Sequence, residues 1–133
     1  MRPALLLAIA FAAVGCGSPK EGKVNTLPQN DPVYAEMWSL ASMGDELDTL
    51  MKTDPVDGQA ATAILERMEK TTVKLRGQKT KHPVLADSID SFYDEVVKAR
   101  KGAEADPPNY YFAGKVSGAC VYCHDPDGGV KKR

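Results

Sequence analysis

The chain has 133 residues, with 17 basic and 18 acidic side chains and a formal net charge of −1. That length fits a single domain, and the charge balance lacks the basic excess of a nucleic-acid binder. Its three cysteines allow one disulfide with one thiol left over.

Arg2 is a short positive segment, and Leu5 to Val14 is an apolar run too short to span a bilayer unaided. The run ends in Ala13-Val14-Gly15-Cys16, which resembles the lipobox of bacterial lipoproteins. The resemblance implies residues 1–15 as a signal peptide, cleavage after Gly15, and a diacylglycerol thioether on Cys16. More than one acyl chain gives stable anchoring. The expected location is therefore the periplasm or cell envelope, anchored to a membrane by lipid. The alternative is an ordinary signal peptide with a chance cysteine. Gly17 to Asn30 is polar, with Pro19, Pro28 and two glycines. It reads as a tether, spanning at most about 50 Å when fully extended.

The globular part, residues 31–133, reads as four helices. The first is predicted from Asp31 to Lys52, with Pro32 suited to a first helical position. Val33, Met37, Leu40, Met43, Leu47, Leu50 and Met51 make its apolar stripe, and Asp54-Pro55 stops it. The second is predicted from Asp57 to Gly77, with Ala61, Ile64, Leu65, Met68 and Leu75 on one side and Gly77 as C-cap. The third runs from Pro83 to Ala103, striped by Leu85, Ile89, Phe92, Val96 and Ala99. Pro107-Pro108 opens the fourth, whose expected apolar face is Phe112, Val116, Cys120 and Cys123. Asp125-Pro126-Asp127-Gly128-Gly129 ends it with turn chemistry, and Lys131-Lys132-Arg133 reads as a solvated tail. No segment alternates with the period of a strand. Short connections suit an all-α, antiparallel four-helix bundle.

The last helix carries Cys120-Val121-Tyr122-Cys123-His124. This is C-x-x-C-H, the attachment signature of a c-type haem. Positions i, i+3 and i+4 of a helical turn share one face. Two thiols and an imidazole there can meet one porphyrin, the thiols as thioethers and His124 as the proximal iron ligand. The expected cofactor is one covalent haem (heme c). A disulfide in an exported protein accounts for the two thiols but not for the adjacent histidine. A structural zinc normally needs four protein ligands, and only His82 remains as a further histidine. A thioredoxin-type site should follow a strand, and none is visible.

Four helices with this motif on the last resemble the cytochrome c-prime family, the class II c-type cytochromes, over roughly Asp31 to Asp125. Class I cytochromes instead carry the motif near the N-terminus with a Met ligand downstream. Here nine residues follow His124 and none is Met. The resemblance carries Cys120 and Cys123 as haem-attaching residues and His124 as proximal ligand. It also implies Met37 on the first helix as a sixth iron ligand, with Met43 the other methionine of that stripe. Two positions depart from the family. Asp125-Pro126-Asp127 stands where a basic residue is frequent, and Val33 stands one turn before Met37 where an Arg is frequent.

The expected function is one-electron transfer to redox partner proteins docking at the haem edge, not enzymatic turnover. If Met37 leaves the iron open, the reading becomes nitric oxide or carbon monoxide binding. A colourless lipoprotein with a disulfide is a third reading. A peroxidase lacks a distal His/Arg pair. Tyr110, Tyr111 and Phe112 are expected to pack on porphyrin or on a neighbouring helix, and Trp38 on the haem edge or at the bundle surface. His82 reads as a turn residue. Homodimerisation is common in the resembled family, and here it would use the first two helices.

Overall fold

Asp31 begins the first helix as the sequence predicts. In the computed structural model, which describes residues 28–124, its Oδ1 accepts the Val33 backbone N–H at 2.8 Å and Pro32 follows as the first helical residue. Helix α1 then runs over Pro32–Leu50. Helix α2, Gly58–Arg76, starts the same way, with Asp57 Oδ1 accepting the Ala60 N–H at 3.0 Å. Such a cap satisfies one of the orphan donors at a helix start. Asp57→Ala should therefore cost about 1 kcal/mol, read as a lower urea midpoint with an unchanged slope.

Gly77 ends α2, but not in the left-handed form a C-cap glycine commonly takes. It stays right-handed, with its N–H directed at the Val73 and Lys74 carbonyls. Helix α3 covers Pro83–Ala103, the bounds the sequence predicts. The His82 side chain gives α3 no cap hydrogen bond. Its Nε2 lies 3.5 Å from Asp31 Oδ1 instead, so the N-terminal ends of α1 and α3 meet there.

The fourth element differs from expectation. Residues 104–112 form no helix, and Ala113–Tyr122 forms a 3₁₀ helix, η1. A 3₁₀ helix has three residues per turn, so residues three apart line one edge. Val116 and Cys123 of the predicted face are buried, but Phe112 is half-buried and Cys120 exposed, and Ala113 and Ala119 are buried instead. Gly114 and Gly118 both weaken an α-helix by about 1 kcal/mol relative to Ala, and the small Ala113 and Ala119 let the backbone approach its neighbours. No strand occurs among the described residues, and none of their helices is long and apolar enough to cross a membrane. The predicted signal segment, Cys16, most of the tether, and the predicted terminal turn and basic tail lie outside the described residues.

The chain forms a helical bundle. Each element packs on its sequence neighbour, and η1 closes back onto α1 along the sparsest of the four seams. Leu47, Leu65, Leu75, Val96 and Val116 are almost wholly buried between them. Met37, Leu50 and Met51 of the predicted α1 stripe are only half-buried at the edge of this core. Thr72, which the apolar pattern passes over, is also buried. Its hydroxyl donates to the Met68 carbonyl at 2.7 Å, so its burial leaves no polar group unpaired.

Two glycines make room for the segment that leads into η1. The Tyr110 ring lies over Gly58 at the start of α2, its hydroxyl where a Cβ would stand. On α3, a Cβ at Gly102 would stand 2.7 Å from the Asn109 carbonyl oxygen. The Asn109 N–H donates to the Gly102 carbonyl at 2.8 Å. These contacts set where η1 begins.

Candidate functional site

The C-x-x-C-H residues close a single turn at the end of η1. The Cys120 carbonyl accepts the N–H of Cys123 at 3.2 Å and that of His124 at 3.0 Å. That turn gathers the three side chains, but it does not treat them alike. Cys123 is buried, His124 is half-buried, and Cys120 is exposed. Cys120 and Cys123 are not joined by a disulfide. Partial burial of the Cys120 thiol pushes its pKa above the ordinary value, and the nearby Asp48 carboxylate pushes the same way. A redox-active nucleophilic cysteine has its pKa lowered instead. Among the described residues, no three His, Cys, Asp or Glu side chains are grouped to hold a metal ion.

Asp48 also ties this segment to α1. Its Oδ1 accepts the Ser117 hydroxyl at 3.0 Å. Met37 and Gly44 lie eleven and four residues before Asp48. At 100° per residue all three fall on one side of α1, and Asp48 reaches η1 from that side. Gly44 is buried, yet nothing lies within 4 Å of where its Cβ would stand. Room for a small side chain therefore remains beside this glycine. Met37 is half-buried against the core, about 16 Å along α1 from Asp48.

The remaining candidates have structural places. Trp38 is 63% exposed and meets Tyr34 edge-to-face, with centroids 6.2 Å apart, so it lies at the bundle surface. His82 is held at the Asp31 cap. Lys98 Nζ lies 4.0 Å from the centre of the half-buried Phe112 ring. Lys115 lies over the exposed Tyr111 ring and donates to its hydroxyl, which lowers the Tyr111 pKa. The aromatic cluster thus seats the start of η1 and is partly roofed by lysines. Sequence reasoning missed Asp48, Ser117 and Gly44. None carries a local signal, since the pairing of Asp48 with Ser117 spans 69 residues.

The chain matches no protein-family model, and comparisons with curated proteins and with solved structures give no match.

Proposed function

We propose that this protein is a lipid-anchored c-type cytochrome of the cell envelope that carries one covalent haem and transfers single electrons. The observation that carries the reading is the C-x-x-C-H sequence closed into one turn at the end of the bundle's last element. Cys120 and Cys123 hold the porphyrin through thioethers, and His124 ligates the iron. The haem supplies exchange between the ferric and ferrous states.

The residues fit that group. A zinc site needs sulfur and nitrogen drawn to one point, and no such convergence exists among the described residues. Haem attachment instead needs the imidazole at the iron and the thiols at the edge of the macrocycle, which are separate points. The resemblance to cytochrome c-prime calls for an antiparallel four-helix bundle. Ion pairs of Glu36 with Lys74 and of Glu46 with Arg67 support that order for α1 and α2. Pairs of Asp90 with Arg76 and of Glu69 with Arg100 support it for α2 and α3. The membrane anchor rests on the lipobox at Cys16, and the partners are redox proteins reaching the haem edge.

Coexpression with a c-type haem maturation system, followed by visible spectra of both redox states with and without carbon monoxide, tests this function. An electron carrier gives covalent haem with low-spin spectra that carbon monoxide leaves unchanged. A colourless product under competent maturation would sink the haem reading. Met37 lies on the side of α1 that carries Asp48, half-buried against the core, and we assign it as the sixth ligand. Met37→Ala should then convert the iron from low spin to high spin and admit carbon monoxide. An unchanged spectrum would make Met37 a packing residue only.

A further inference from the structure

Ser117 precedes Cys120 by three residues. In η1 that spacing is one full turn, so the two residues share an edge of the helix. Asp48 holds Ser117 by the 3.0 Å hydrogen bond and therefore grips η1 on the edge that carries Cys120. Its carboxylate is half-buried, and among the described residues no Lys, Arg or His forms an ion pair with it. A fixed negative charge, unneutralised by these residues and partly shielded from solvent, thus stands beside the attachment turn.

We infer that Asp48 is a positioning residue for the haem: through Ser117 it fixes the attachment turn against α1, and its charge lowers the reduction potential of the haem held there. The inference rests on the haem reading above. The second part follows from charge alone. A ferric haem carries one more positive charge than a ferrous one, so a neighbouring carboxylate favours the oxidised state. The effect weakens with salt, because a partly exposed charge is screened over roughly 10 Å at 0.1 M ionic strength.

Two variants of the mature full-length lipoprotein separate the roles. Asp48→Asn keeps an oxygen that can accept from Ser117 and removes the charge. Its midpoint potential should rise, the difference from wild type should shrink as salt is added, and amide exchange over residues 117–124 should stay unchanged. Ser117→Ala keeps the charge and removes the donor. Amide exchange over the same residues should accelerate severalfold. A wild-type potential in Asp48→Asn at low salt overturns the electrostatic role, and unchanged exchange in Ser117→Ala overturns the positioning role. Intact mass of the same samples reads haem loading separately. A wild-type chain without haem would overturn the reading of function and the potential with it, while the exchange comparison would still decide whether Asp48 and Ser117 hold η1 in place.

Discussion

Replacing Cys120 and Cys123 together by serine should yield a protein with no covalent haem. Serine keeps the size and loses the thiol, so neither thioether can form. His124 remains, and any haem it retains should leave on acid–acetone extraction, whereas the wild-type colour should stay with the protein. Each single variant should keep one thioether and an intermediate yield, with Cys120→Ser the milder in folding because Cys120 is exposed and Cys123 is buried. The double variant should also melt lower. A ligand bound only by the folded state stabilises it, and a bundle of this size has little apolar burial to spare. Intact mass and extraction together check the result. A disulfide lipoprotein would instead show no chromophore in the wild type, and its double variant would differ only in thiol count.

The second large effect is expected at Gly102→Val. A Cβ there would stand 2.7 Å from the Asn109 carbonyl oxygen, a backbone atom that cannot rotate away. Either α3 or the return segment must shift, and the hydrogen bond between the Asn109 N–H and the Gly102 carbonyl is strained with it. Overpacking of this kind costs about 1–3 kcal/mol, and losing the hydrogen bond adds about 1 kcal/mol. We expect a total near 3 kcal/mol in urea denaturation. The damage should centre on η1, because residues 104–112 set where it begins. Amide exchange should therefore rise more in η1 than in α2. Gly114→Ala is the matched control. Nothing lies within 4 Å of its would-be Cβ and the site is exposed, so its effect should stay within about 0.5 kcal/mol.

These two sites differ in how far the sequence discloses them. The C-x-x-C-H motif stands out by its spacing alone, and the structure adds that it closes one turn at the end of η1. Helix α3 is legible to the residue, since Pro83 fixes its start and Leu85 through Ala99 keep one period to its end. Asp31 and Asp57 mark their helix starts through capping, which acts within three residues. The fourth element was misread because Phe112, Val116, Cys120 and Cys123 fit an α-helical period. Val116 and Cys123 are buried as that pattern expects, but Ala113 and Ala119, too small to weigh in a hydrophobic pattern, take the buried places of Phe112 and Cys120. Gly102 and Gly58 have no periodic signal either, since their role depends on a segment that arrives from elsewhere in the chain. Met37 was found on its stripe, but that stripe does not say which neighbour each residue faces. The Asp48–Ser117 contact supplies that direction for Asp48.

Trp38 is the sole tryptophan in the chain, and it stands next to Met37 on α1 while turning its ring to solvent. Its emission overlaps the absorption of a haem, and the resulting energy transfer falls steeply with separation. With haem attached as proposed, the protein would contain a built-in donor on α1 and an acceptor on the element opposite. Fluorescence would stay dim while α1 and a haem-bearing η1 remain together. It would brighten as they part, so an unlabelled sample could report the opening of that seam in real time.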